Sequence, residues 1–186
     1  MRNPDDPLDY PSLRDLIAAA QLASRIGEDH DVDSALVGGV ALQLYGSPRF
    51  TRDADLVAGA ALGDPSPMLK RNILSFGGVA YDTPIGVGVD WITRSDEYAQ
   101  LYDAVLDASV STKHGIKIAR PEYLVAMKMA ASRPKDYEDL MWLLGAPGLV
   151  DVTKAREIVR AFLGGRYAVD QFNASLEEAK WRAGKT

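Results

Sequence analysis

The sequence predicts an α+β (mixed α/β) fold, with a mixed sheet in the first two thirds of the chain and helices in the last third. Three observations carry this expectation. Short apolar runs punctuated by Gly, Pro and Asp recur between residues 35 and 118, and from Pro121 onward the apolar spacing turns helical. The 186 residues, 47% of them hydrophobic, are also enough for one core with a helical appendage.

Taken in order, the first helix spans residues 12 to about 26, with Leu13, Leu16, Ile17, Ala20, Ala23 and Ile26 at helical spacing. Ser12 followed by Asp15 makes a capping pair at its start. After the polar break at residues 28–33, an apolar strand at 35–37 runs into Gly38-Gly39 and the helical VALQLY, which Gly46 stops. SPRFTRD reads as a loop and ADLVA as the next strand. Residues 67–76 predict a helix, opened by Pro67 and closed by Gly77-Gly78.

VAYD and IGVGVDWIT then predict two strands separated by the turn at Thr83-Pro84. In the second, Ile85, Val87, Val89 and Trp91 share one face, while Gly86, Gly88 and Asp90 share the other. A helix around residues 98–106 follows, then a hairpin turning near His114-Gly115 with Ile116 and Ile118 as strand residues. Pro121 suits a first helical position, Pro134 breaks the run, and Gly145, Pro147 and Gly148 end the next helix. Two more helices, at about 153–163 and 168–182, close the chain. This divides it into a core of residues 1–120 and a C-terminal helical lobe, 121–186, packed on that core. Repeats and low-complexity segments are absent.

Composition excludes several classes of chemistry. Without cysteine there is no disulfide framework, thiolate nucleophile or zinc-thiolate site, which fits a reducing compartment. The polar, acidic start and the lack of any apolar run near the ~20 residues of a membrane span lead us to expect a soluble, cytoplasmic protein with no membrane partner. A net charge of -5 argues against coating nucleic acid through general electrostatics. The distribution is uneven, however. Lys113, Lys117, Arg120, Lys128, Arg133 and Lys135 face only Glu122, whereas the N-terminal stretch carries Asp5, Asp6, Asp9, Asp15, Glu28, Asp29, Asp31 and Asp33. The basic stretch reads either as a local anion-binding surface or as a solvated helix face.

The chemistry begins in VGGVALQLYGSPRFTRDADLV, residues 37–57. Carboxylates at i and i+2 of a strand point to the same face, so Asp53 and Asp55 can grip one cation. Magnesium or another hard divalent ion takes such oxygen ligands and keeps positions open for phosphates. Alone, the pair also fits a solvated turn. Gly38-Gly39 could let phosphate approach backbone N–H groups, and equally could serve only the tight turn. Asp90 is a lone acid in an apolar strand, so it meets a cation or hydrogen bonds, or lies on an exposed sheet face. Together the three acids could hold two metals roughly 4 Å apart for in-line phosphoryl chemistry. No Ser-His or Cys-His system competes, since His30 and His114 both fall in turns.

The pattern G-G-x13-D-x-D-L-V followed by the strand-borne acid of VGVDWI resembles the nucleotidyltransferase superfamily that includes DNA polymerase beta and the aminoglycoside nucleotidyltransferases. RPEYLVAMKMAASRPKDYEDL resembles the C-terminal helices of AbiEii-type and MenT-like bacterial toxins. The resemblance spans residues 35–145 and implies a polymerase-beta-like nucleotidyltransferase sheet flanked by helices. It also implies Mg2+ (or Mn2+) held by Asp53, Asp55 and Asp90, with Asp90 as base for the attacking hydroxyl. Gly38, Gly39, Thr51, Arg52, Lys128 and Asp136 would form the nucleotide site, with Asp136 or Asp139 positioning the nucleotide or that lysine. On the residues alone, Lys128 also reads as a side chain snorkelling from its helix, and Asp136 as a helix cap.

The implied reaction moves an NMP from an NTP to an acceptor hydroxyl. The acceptor would be RNA, a tRNA 3' end, and the protein the toxin of a toxin–antitoxin pair with a cognate antitoxin as partner. A small-molecule transferase of aminoglycoside type and a non-catalytic antitoxin or binding module are the alternatives. One departure stands out. The superfamily usually has Gly-Ser where this chain has Gly38-Gly39, leaving Ser47 or Thr51 as candidate replacement hydroxyls.

Overall fold

The computed structural model describes residues 10–185, so Asp5, Asp6 and Asp9 of the acidic N-terminal stretch lie outside the described residues. The chain divides into two compact units, Met1–Ala119 and Arg120–Thr186. Among the described residues there are seven helices and one mixed seven-stranded sheet, as the α+β reading requires. No described helix is long and apolar enough to cross a membrane.

In the first unit, helix α1 (Leu13–Asp29) opens on Ser12, whose hydroxyl accepts from the Asp15 amide at 3.1 Å. Leu16, Ala19, Ala20 and Ala23 form its buried stripe. Strand β1 (Ser34–Val37) is buried throughout and leads directly into the short helix α2 (Gly38–Leu44). Strand β2 (Asp53–Ala58) pairs antiparallel with β1. There follow β3 (Leu69–Ile73), β4 (Val79–Asp82), β5 (Gly88–Ile92), α3 (Ala99–Ala108), β6 (Val110–Ser111) and β7 (Lys117–Ile118), giving the spatial order β3-β4-β5-β2-β1-β7-β6. β2 runs parallel to β5, and β1 parallel to β7.

Strand parity sorts the two faces of this sheet. Leu36, Leu56 and Trp91 are register partners across β1, β2 and β5, and all three are fully buried. Their face packs on α1. At Gly27 of that helix an added Cβ would come 2.7 Å from the Trp91 ring, so glycine is what lets the indole seat. The indole N–H donates to the Ala60 carbonyl at 2.8 Å, which satisfies the polar atom of an otherwise apolar cluster. The opposite face of the same strands carries Asp53, Asp55 and Asp90.

The expected helix at residues 67–76 is not formed. Residues 69–73 are instead the edge strand β3, antiparallel to β4, with Leu69 72% and Ile73 71% exposed. The short apolar pattern fits either period, and pairing with β4 settled it. The register slips between Lys70 and Asn72, leaving Arg71 as the extra residue of a bulge.

The second unit contains α4 (Pro121–Ala131), α5 (Pro134–Gly145), α6 (Val152–Phe162) and α7 (Gly165–Ala183). Pro121 and Pro134 both sit in first turns, where no amide is needed. Ser132 ends α4 in the left-handed conformation, φ 51°. Asp151 caps α6 by accepting from Thr153 and Lys154, while its own amide donates to the buried Glu122 carboxylate at 2.9 Å. Leu124, Leu143, Val159 and Phe172 form the core of this unit.

Candidate active site

Asp53 stands opposite Gly88, and Asp55 opposite Asp90, across the parallel β2–β5 pair. Alternation along β2 and the parallel register therefore put the three carboxylates on one face, at the end of β2 that follows the loop 47–52. Asp90 is more enclosed than Asp53, with its side chain 20% exposed against 40% for Asp53.

Glycines make room for this set. A Cβ on Gly38 would lie 1.9 Å from Oδ2 of Asp55, and Gly38 itself has φ +61°. A Cβ on Gly88 would lie 2.1 Å from Oδ1 of Asp53. At Gly39 the neighbour is Thr51, whose Cβ and Oγ1 would be 2.6 and 2.8 Å from an added Cβ. The side chain of Thr51 thus fills the space that a serine at position 39 would need. Ser47, the other candidate hydroxyl, is buried and accepts from the Arg49 amide at 3.3 Å. The glycine pair is explained locally by these two close approaches.

Arg71 is the residue of this face that sequence reasoning missed. From the β3 bulge its guanidinium reaches Oδ1 of Asp53 at 3.7 Å, Oδ1 of Asp82 at 3.5 Å and Oδ1 of Asp90 at 3.5 Å. The misread helix hid it, because a helix at 67–76 gives Arg71 no route to the sheet face. Arg94 and Tyr102 were missed too. The Arg94 guanidinium pairs with Asp96 and stands 5.8, 5.2 and 5.1 Å from the ring centres of Phe76, Tyr98 and Tyr102. Burial pushes the Tyr102 hydroxyl above its ordinary range; Arg94 opposes the shift and the Asp55 carboxylate adds to it.

By donor type, three carboxylates on one sheet face fit a hard divalent ion. By placement they do not yet converge: among the described residues, no three His, Cys, Asp or Glu side chains are grouped so as to hold a metal ion. Among the described residues, the Arg71 guanidinium is a cation that meets both Asp53 and Asp90.

Beside the acids, the loop 47–52 presents Phe50, 57% exposed. Its ring lies 5.6 Å from that of Tyr10 at 38°, and the Arg52 guanidinium sits 4.6 Å over the Tyr10 ring. In the helical unit, Lys128 is buried and its ammonium donates to Asp136 at 2.9 Å and pairs with Asp139 at 2.7 Å. Arg133 also pairs with Asp136, at 2.5 Å. Of the two expectations for the acids of this helix, holding the lysine is what the geometry displays.

No protein-family model matches the chain, and no curated protein matches it in sequence. In structure it is similar to an antigenic nucleotidyltransferase-like protein from Paracoccidioides brasiliensis, with a TM-score of 0.50 at 16% identity, covering 88% of this chain and 93% of that one. A candidate nucleotidyltransferase from H. pylori gives a TM-score of 0.49 at 15% identity, over 91% of this chain and 94% of that one. The antibiotic-resistance factor ANT(2'')-Ia gives 0.44 at 13%, again over 91% and 94%. The fold is that of nucleotidyltransferase-like proteins.

Proposed function

We propose that the protein is a nucleotidyltransferase that moves an NMP from an NTP to an acceptor hydroxyl. The observation that carries this reading is the set Asp53, Asp55 and Asp90 on one face of a nucleotidyltransferase-like sheet. These three carboxylates would hold Mg2+ or Mn2+, which when bound supplies charge neutralisation at the phosphates. The acceptor oxygen bonds to the α-phosphorus, the bond between the α- and β-phosphates breaks, and pyrophosphate leaves with the electron pair. Asp90, more enclosed than Asp53, takes the hydroxyl proton on its carboxylate. Gly38, Gly39, Thr51 and Arg52 border this face and are the proposed triphosphate contacts. Lys128 and Asp136 are proposed as nucleotide residues on the family resemblance alone.

For the acceptor we favour RNA, a tRNA 3' end, with the protein as an AbiEii-type or MenT-like toxin paired with an antitoxin. What supports an RNA acceptor is the exposed Phe50 with Tyr10 and Arg52, directly preceding Asp53. An exposed ring backed by a second ring and a guanidinium is chemistry that stacks unpaired bases. Arg49 and Arg52 in the same loop disfavour a polycationic small molecule of aminoglycoside type.

The test is incubation with each radiolabelled NTP, magnesium and total RNA. Label should enter RNA, Asp53→Asn should abolish transfer with the fold intact, and Phe50→Ala should raise the KM for RNA. Label entering an aminoglycoside instead would replace the acceptor, and transfer to nothing would leave the non-catalytic module.

A further inference from the structure

Arg71 ties together acids from three strands of the carboxylate face. Its fork spans Asp82 of β4, Asp90 of β5 and Asp53 of β2, at 3.5, 3.5 and 3.7 Å. Two features build this contact into the backbone. The bulge between Lys70 and Asn72 frees Arg71 from the ladder, and the missing side chain at Gly88 leaves space, since a Cβ there would sit 2.1 Å from Asp53 Oδ1 and 2.9 Å from the Arg71 guanidinium. Two of the three acids it meets, Asp53 and Asp90, belong to the proposed set of three metal ligands. The third, Asp82, does not.

We propose that Arg71 is a tethered competitor of the divalent ion: it neutralises Asp53 and Asp90 in the metal-free protein, and leaves them for Asp82 when the metal binds. This rests on the metal-site reading given above. Close carboxylates repel each other when no cation is present, so a metal-free face of this kind needs a counter-charge. The guanidinium supplies one that cannot diffuse away. Because every pair it makes is long and partly exposed, each is weak enough to be broken. Asp82, the most exposed of the three acids at 58%, gives the displaced guanidinium a partner outside the metal set. Metal affinity is then set by a competition within the chain.

The experiment is titration of the full chain with Mn2+, followed by electron paramagnetic resonance at neutral pH. Arg71→Gln should bind Mn2+ about three- to tenfold more tightly than the parent, the range expected for two partly exposed ion pairs no longer to be broken. Arg71→Lys keeps the charge but cannot span the acids with one ammonium, so it too should bind more tightly. Asp82→Asn should weaken binding in the parent and do so less in the Arg71→Gln background, because much of its effect passes through the guanidinium. Equal or weaker Mn2+ binding by Arg71→Gln overturns the proposal while leaving the metal site standing. So does a gain in Arg71→Gln that Arg71→Lys lacks, which would mean a general field effect. If neither parent nor Arg71→Gln binds Mn2+, the metal-site reading fails and the competition with it. Circular dichroism of each variant checks the fold.

Discussion

Gly38 and Asp55 are fitted to each other: a Cβ on Gly38 would lie 1.9 Å from Oδ2 of Asp55, in a residue already at φ +61°. Both demands fall on one position. The strand-to-helix turn needs a left-handed residue, and the carboxylate needs the room beside it. Gly38→Ala should therefore cost about 1–3 kcal/mol in stability, from backbone strain plus steric overlap. It should also push Asp55 off the shared face. Chemical denaturation measures the first effect and Mn2+ titration the second. An alanine variant as stable as the parent, with unchanged Mn2+ affinity, would contradict the fit.

Gly39 and Thr51 make a similar pair, with the added freedom that Gly39 has no left-handed φ. Gly39→Ser introduces a hydroxyl in the strand-to-helix turn but places its Cβ 2.6 Å from that of Thr51. Overpacking of this kind should destabilise by about 1–3 kcal/mol. Removing the obstacle, which includes the Thr51 Cβ, should repair it, so Gly39→Ser with Thr51→Gly should be more stable than the sum of the single variants by at least about 0.5 kcal/mol. Thermal or urea midpoints for the four proteins of the cycle decide the matter. Strict additivity would show that the two side chains do not compete for one space.

How much of the site could be read beforehand depended on what each residue's position rests on. Asp53, Asp55 and Asp90 were legible because strand parity is a property of the local sequence, and their common face needed only the β2–β5 pairing in addition. Trp91 was likewise placed opposite Asp90 by alternation alone. Arg71 was not legible. Its place depends on residues 69–73 forming an edge strand and on a one-residue slip against β4, neither of which leaves a mark in so short an apolar pattern. The glycine pair was visible as a turn, but its fit to Asp55 and Thr51 is a tertiary contact. The pairing of Lys128 with Asp136 and Asp139 was only half visible, since the helix break at Pro134 decides which acids turn back toward the lysine.

That break leads to a prediction in the helical unit. Lys128 is 8% exposed and meets Asp136 and Asp139, themselves 0% and 3% exposed. Burial pushes the Asp136 carboxyl up, but hydrogen bonds from Arg133 and Lys128, with their charges, outweigh it and hold the group below its ordinary range. A carboxyl depressed in the folded state contributes stability at any pH above its unfolded value, about 3.9, and loses that contribution as pH falls through the lower folded value. The parent should therefore lose stability on acidification below about pH 4. Lys128→Met removes the ammonium that meets both buried carboxylates, and should cost about 3 kcal/mol at neutral pH. The same change removes one of the two groups that hold the Asp136 carboxyl down, Arg133 being the other, so protonation of Asp136 no longer opposes folding to the same degree. The acid limb of the variant's stability profile should be shallower than the parent's, and the gap between the two proteins should narrow as pH falls toward 3. Urea midpoints at half-unit steps from pH 3 to 7 measure both curves. Parallel curves over that range would mean that Lys128 acts through packing alone and that its charge has no part in holding Asp136 ionised.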